Sequence, residues 1–158
     1  MLKKTILGLM FVPLLATSST KFNGLYRDEN FNLMSYQGVY ECQILPLPKD
    51  VMDTKSYSDK VIGSASVNVE NDGQDKILFV NLNNGKNIDI PKLRLVDKGS
   101  NVTNYGYRTN ELMVVYTLNT DFGVMIGIQN KNKGNELSIL LDNCYMVRNH
   151  ETGAPADP

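Results

Sequence analysis

The chain of 158 residues is long enough for one ordinary domain with its own hydrophobic core. It carries 16 basic and 17 acidic side chains, which gives a formal net charge of −1, and its lysines and arginines are scattered. Binding to nucleic acid or to an anionic membrane surface requires clustered positive charge. We therefore expect neither as a partner.

Residues 1–18 have the three-part pattern of a secretory signal peptide: two lysines near the start, an apolar stretch over 6–15 and small residues over 16–18. The apolar stretch is too short to span about 30 Å of hydrocarbon as a helix, although an uncleaved anchor or a core helix is the alternative. We expect cleavage ahead of Ser19, no membrane attachment afterwards, and a bacterial protein that is periplasmic or secreted.

The mature chain divides into an N-terminal segment, a β domain and a short tail. Residues 19–37 contain isolated apolar side chains and are interpreted as an arm over a barrel end or as a short helix. Alternation of apolar and polar residues over 38–149 predicts about seven strands separated by turn residues. Residues 150–158 are polar, contain proline and are predicted to form a disordered tail.

The predicted strands follow one another as a meander. Their inward sets are Tyr40, Cys42 and Ile44; Gly63, Ala65, Val67 and Val69; Leu78, Val80 and Leu82; Ile88, Ile90, Leu93 and Leu95; Leu112, Val114, Tyr116 and Leu118; Val124, Ile126 and Ile128; and Leu137, Ile139, Leu141, Cys144 and Met146. The inward parity changes at Pro91 and at Asp142–Asn143, which predicts two bulges. The segment Lys98–Asn110 is rich in Gly, Ser and Asn and is interpreted as a loop.

The connections between these strands decide the fold class. Parallel pairing needs crossovers of a dozen or more residues, and only the segment 45–60 is long enough to be one. The sequence therefore predicts an all-β fold: a single antiparallel β-barrel or sandwich, with a possible short N-terminal helix.

The chain has two cysteines, Cys42 on the first core strand and Cys144 on the last. In an oxidising compartment we expect them to form a disulfide that closes a loop of about 100 residues and stabilises the fold by up to ~4.7 kcal/mol. A redox-active or metal-binding pair is the alternative, but such sites usually have close spacing or a nearby histidine.

Residues with catalytic chemistry are scarce. His150 is the only histidine and lies beside the tail, and the sequence has no nucleophile elbow, zinc-protease helix or phosphate-binding glycine loop. Asp89 interrupts an apolar strand but falls on its outward face, and the turn at 71–75 lacks the ligand positions of a calcium loop. We expect no enzyme activity, no cofactor and no metal.

The segment Asn104-Tyr105-Gly106-Tyr107-Arg108 has the composition of an interface anchor. Tyr105, Tyr107 and Arg108 are therefore the predicted partner-binding residues, with ordinary packing against a barrel rim as the alternative. A second outward-facing patch consists of Met113, Val115 and Met125, which we expect to pack under the N-terminal arm or to meet a partner.

Tyr40-Glu41-Cys42 on the first strand, with a second cysteine on the last, resembles small periplasmic lysozyme inhibitors of the membrane-bound lysozyme inhibitor type. The resemblance implies a compact antiparallel barrel with a similar bridge. The Ser-Gly-x-x-Tyr loop typical of that family does not occur in this sequence, and we do not assign the chain to it.

Three hypotheses of function follow. The first is a non-enzymatic periplasmic or secreted binding protein that presents loops to an unidentified protein partner, as inhibitors, immunity proteins and secretion or adhesion accessories do. The second is a lipocalin-like carrier of a small apolar ligand, for which the small inward residues Gly63 and Ala65 leave room. The third is an enzyme based on a carboxylate pair. The missing catalytic residues and the aromatic segment favour the first.

Overall fold

A computed structural model describes residues 21–48, 58–134 and 136–153 of the chain. The signal peptide predicted over 1–18 lies outside the described residues, as do positions 154–158 of the predicted tail. Within the described ranges every regular element is a β-strand, and there is no helix. The all-β prediction is confirmed.

The strands show the alternation of buried and more exposed side chains that the sequence pattern predicts. The described residues form, in chain order, β1 (Leu25–Arg27), β2 (Leu33–Ser35), β3 (Gly38–Pro46), β4 (Gly63–Asp72), β5 (Asp75–Leu82), β6 (Asn87–Asp89), β7 (Arg94–Lys98), β8 (Val102–Arg108), β9 (Leu112–Asn119), β10 (Gly123–Asn130) and β11 (Leu137–Asn149).

Nine of these strands form one antiparallel sheet that curls into a half-barrel. The strand order is β6-β5-β4-β3-β11-β10-β9-β8-β7. Two meanders, β3 to β6 and β7 to β11, therefore meet where β3 pairs with β11 at the centre of the sheet.

The two edge strands, β6 and β7, are consecutive in the chain, and residues 90–93 cross from one edge to the other. At the crossing, Leu93 forms a bridge with Lys76 of β5 through two backbone hydrogen bonds of 2.9 Å. The bulge predicted at Pro91 is confirmed: Phe79 pairs with Asp89 but Lys76 pairs with Leu93, so the chain gains one residue relative to β5 between these pairings. The prediction of one continuous strand is wrong, because the chain turns to pair with β8 from Arg94 onward.

The prediction of a loop over Lys98–Asn110 is also wrong, because β8 lies within it and pairs with both β7 and β9. Thr103 and Tyr105 are buried on its inward face. The polar and glycine residues that suggested a loop, Asn104 and Gly106, occupy the other face, where burial does not require apolar side chains.

The bulge predicted at Asp142–Asn143 is confirmed. Val124 pairs with Cys144, whereas Ile126 pairs with Leu141, so β11 gains one residue relative to β10. Asn143 has a φ of 49°, in the left-handed region that asparagine tolerates better than most residues. The extra residue restores the inward direction of Cys144.

The N-terminal segment is a two-stranded hairpin of β1 and β2; the short helix considered for it is wrong. The hairpin lies across one end of the half-barrel, with Leu33 and Ser35 buried. The Tyr40 hydroxyl lies 3.0 Å from the Gly24 carbonyl oxygen and 2.8 Å from that of Tyr36. These contacts fix the hairpin to the start of β3.

The core fills the inside of the curled sheet. Its largest fully buried apolar side chains include Tyr40, Tyr116, Leu78, Leu93, Leu118, Ile126, Ile128 and Leu141. Cys42 and Cys144 are buried beside this core and form a disulfide, with an Sγ–Sγ distance of 2.02 Å. The bridge joins β3 to its neighbour β11, and its presence is compatible with an oxidising compartment.

Candidate functional site

The three predicted partner-binding residues lie along β8 but do not form one surface. Tyr105 is only 5% exposed, and its ring packs against Tyr116 with 5.9 Å between centroids. Tyr107 is half-buried against the core, and Arg108 is exposed. Because two of the three side chains face inward, the segment packs mainly within the protein.

The second predicted patch lines a groove of about 400 Å³ on the outer face of β9 and β10. Met113, Val115 and Met125 form much of it, with Leu47 and Leu140 beside them. The hairpin packs across the end of the half-barrel and contributes no residue to this groove.

Three large apolar side chains are more than 60% exposed: Phe31, Val96 and Phe122. Val96 lies on the edge strand β7, whereas the two phenylalanines lie in loops at the end of the half-barrel that the hairpin covers. We call this the loop end; it comprises the β1–β2 loop (28–32), the β7–β8 turn (99–101) and the β9–β10 turn (120–122). Phe31 at the first of these is 79% exposed, and Phe122 at the third is 68% exposed.

Phe31 is held in place by a loop built around Asp28. The Asp28 carboxylate accepts hydrogen bonds from the backbone N–H groups of Asn30 and Asn32, at 2.9 and 2.8 Å, and from the Asn32 side-chain amide at 2.9 Å. The Phe31 N–H donates to the Asp28 carbonyl oxygen at 2.9 Å. These bonds, above all that from the Asn32 side chain, lower the pKa of the Asp28 carboxyl, so the loop is most stable with this group ionised.

The backbone of Phe31 is itself unusual. Its φ is 59°, in the left-handed region that bulky L-residues rarely adopt because Cβ approaches a carbonyl oxygen. Such strain persists only where surrounding contacts impose the conformation, and it is concentrated at functional positions. The loop therefore keeps an apolar ring exposed to water in a strained backbone conformation, and both features are energetically unfavourable.

Hydrogen bonds join the three loops of the loop end. The Arg27 guanidinium donates to the Phe31 and Ser100 carbonyl oxygens, both at 2.9 Å. The Thr120 N–H donates to the Asn101 carbonyl oxygen at 3.0 Å. The loops that carry Phe31 and Phe122 are thus joined by hydrogen bonds through the β7–β8 turn.

The turn that carries Phe122 is fixed in a similar way. The Asn119 side-chain oxygen accepts from the N–H groups of Asp121 and Phe122, at 2.8 and 3.3 Å. Gly123 follows with a φ of 79°, a conformation that glycine adopts freely. Both aromatic rings are therefore presented by ordered turns.

A pocket of about 220 Å³ lies beneath the β1–β2 loop, between the hairpin and the main sheet. Asp28, Asn32, Lys76, Lys98 and Tyr105 are among the residues that line it. Lys76 is 1% exposed, and this burial lowers the pKa of its amine to about 8.

Several buried hydroxyls lie behind the hairpin. Ser35, Thr103 and Tyr116 have oxygens with no hydrogen-bond partner among the described residues. Burial raises the pKa of the Tyr40 and Tyr116 phenols. The nearby Ser35 hydroxyl opposes part of this rise, although it forms no hydrogen bond with either phenol.

The described His, Cys, Asp and Glu side chains form no group of three that could hold a metal ion. His150 is exposed, and its backbone N–H donates to the Gln37 carbonyl oxygen at 3.0 Å. Over the ranges that the structure describes, no helix has the length and apolar character needed to cross a membrane.

Comparison with protein-family models, with curated proteins and with solved structures finds no match to this chain. The geometry of the loop end is therefore the basis for a functional proposal. Sequence reasoning missed this site, although Asp28-Glu29-Asn30-Phe31-Asn32 combines turn-forming residues with a lone aromatic residue.

Proposed function

We propose that this chain is a non-enzymatic binding protein, exported to the periplasm or beyond a bacterial cell, that holds a protein partner through the loop end. The observation that supports this most directly is the exposed, strained and hydrogen-bonded position of Phe31. Exposed aromatic anchors that are ordered before binding lose little conformational entropy on association.

The partner that suits this surface has an apolar pocket able to receive a phenylalanine ring. Phe122, on a turn that is hydrogen-bonded through the β7–β8 turn to the β1–β2 loop, provides a second anchor. Carboxylates lie beside both rings, at Asp28, Glu29 and Asp121, so basic groups around the partner's pocket would complement them.

The carrier alternative needs an interior cavity. Buried side chains occupy the described interior, and a Cβ added at Gly63 would lie 3.3 Å from Ile44 and 3.2 Å from Asn83. The room that Gly63 was expected to leave is therefore taken by these neighbours, and no observation favours the carrier over the binding protein.

The test is affinity capture with the tagged mature chain, Ser19–Pro158, from envelope and culture fractions of its own organism, in wild-type form and as Phe31→Asn. Asparagine tolerates the left-handed conformation, so this variant removes the ring while keeping the loop. We expect a stoichiometric protein bound by the wild type to be reduced at least tenfold with Phe31→Asn.

The matched control is Phe79→Thr, which removes an exposed ring from the outer face of β5 and should leave capture unchanged. Equal capture by wild type and Phe31→Asn would contradict the role of the loop end. A stoichiometric lipid without any protein would instead favour the carrier.

A further inference from the structure

The pocket beneath the β1–β2 loop contains a buried amine with incomplete hydrogen bonding. An ammonium group has three donors. Within the described residues, Lys76 Nζ donates one hydrogen bond, to Asn71 Oδ1, and lies 5.2 Å from the centroid of the Tyr105 ring. No described carboxylate forms an ion pair with it.

A buried cation without a counter-ion is costly, and the usual resolution is an anion or loss of the proton. With a pKa of about 8, Lys76 keeps most of its charge at neutral pH. The protein therefore holds an ammonium group beside a cavity, and the remaining N–H groups of Lys76 have no acceptor among the described residues.

The charged side chains that line the pocket are two cations, Lys76 and Lys98, and one carboxylate, Asp28. Lys98 lines it from β7, and Asp28 lines it from the β1–β2 loop. The Asp28 oxygens are engaged by Asn30 and Asn32. Asp75 precedes Lys76 on β5 and by strand alternation lies on the opposite face. Its charge is still near enough to Tyr105 to contribute, after burial, to the raised pKa of that phenol, but it forms no ion pair with Lys76.

We propose that this pocket binds a carboxylate. The carboxylate would form an ion pair with Lys76 and accept hydrogen bonds from the ammonium N–H groups that do not donate to Asn71. The volume of about 220 Å³ suits a short carboxylic acid, either free or as the acidic side chain of another protein. Apolar walls from Leu33, Met34 and Leu95 would contact the methylene groups of such a ligand.

The test is NMR of the Lys76 ¹³Cε signal in the isolated mature chain at pH 7. The probes are sodium acetate and N-acetylglutamate N-methylamide, each compared with sodium chloride at equal ionic strength. We expect a saturable shift of the Lys76 signal with carboxylate and a higher pKa of its amine in the bound state. A response to acetate alone assigns a free acid, and a response to both assigns an acidic side chain.

Two variants separate the site from general ionic effects. Lys76→Met should lower the affinity for acetate at least tenfold, whereas Lys86→Met, at an exposed turn lysine, should leave it unchanged. If Lys76→Met does not fold, the titration of the wild type with acetate and with chloride still tests whether the pocket binds a carboxylate. A Lys76 response that is linear and equal to that of chloride would overturn the proposal.

The titration uses no protein partner, so a negative result would leave the proposed role of Phe31 standing. Conversely, the Phe31→Asn variant keeps every residue named as lining the pocket. Loss of partner capture in that variant with unchanged acetate binding would show that the two sites act separately.

Discussion

At the scale of single residues, two buried tyrosines have opposite hydrogen-bonding situations. The Tyr40 hydroxyl lies within hydrogen-bond distance of the carbonyl oxygens of Gly24 and Tyr36, whereas the buried Tyr116 hydroxyl has no hydrogen-bond partner among the described residues. Both rings are fully buried and lie in the same core. Removing each hydroxyl in turn therefore measures what its hydrogen bonds contribute to stability, while both variants keep the buried ring.

We expect Tyr40→Phe to lower the free energy of unfolding by about 1 kcal/mol, because the part-buried Tyr36 carbonyl oxygen loses its hydroxyl donor, whereas the Gly24 carbonyl still accepts from the Tyr36 N–H. Tyr116→Phe should be neutral or stabilising by up to about 1 kcal/mol, because it removes an unsatisfied buried oxygen. Urea unfolding with an unchanged m-value measures both. Equal losses in the two variants would contradict this assignment of partners.

At the scale of elements, the disulfide joins two strands that already pair. Cys42 and Cys144 are separated by 102 positions, so the bridge restricts the unfolded chain strongly. We expect the double variant Cys42→Ala/Cys144→Ala to fold but to lose roughly 2–4 kcal/mol of stability, since the chain-entropy estimate of ~4.7 kcal/mol is an upper value.

The measurement for this pair is thermal unfolding with and without a reductant. Reductant should lower the melting temperature of the wild type toward that of the double variant and should not affect the variant. A wild-type melting temperature that is insensitive to full reduction would contradict a stabilising role for the bridge.

The elements that sequence reasoning found are those whose burial alternates without interruption. The pattern over β9 and the parity change before Cys144 were sufficient to place both, because a one-residue shift would turn an apolar set to solvent. The strand β8 was missed because only its inward face is apolar and its outward face resembles a loop.

The predicted fourth strand, which is two strands in the structure, shows a second limit of prediction from sequence. A local pattern reports which face of a strand is buried but not which neighbour the strand pairs with, and β6 and β7 belong to opposite edges. Phe31 was missed for a related reason, because β1 and β2 have three residues each and are too short to show a period.

At the scale of the whole molecule, buried titratable groups make stability depend on pH. The pKa of Lys76 falls from its ordinary 10.5 to about 8, so between these values the unfolded chain binds a proton that the folded chain has released. Stability therefore rises with pH through this window, by up to about 3 kcal/mol for a shift of this size.

The buried tyrosines act in the opposite sense at higher pH. Burial raises the pKa of Tyr40, Tyr105 and Tyr116, so above pH 10 the unfolded chain loses phenol protons that the folded chain keeps, and stability falls. We expect a stability maximum between pH 9 and 10 in ~0.1 M salt, measured by urea unfolding. The Lys76→Met variant should lack the rise above pH 8.

The pairing of β3 with β11 at the centre of the sheet has a consequence for the order of folding. Each meander consists of strands that are neighbours in sequence, but the contact that unites them joins residues near position 42 to residues near 144. Such high contact order is typical of β proteins that fold in milliseconds to seconds. During synthesis from the N-terminus, the middle of this sheet is therefore the last part to be completed, after β11 has emerged from the ribosome.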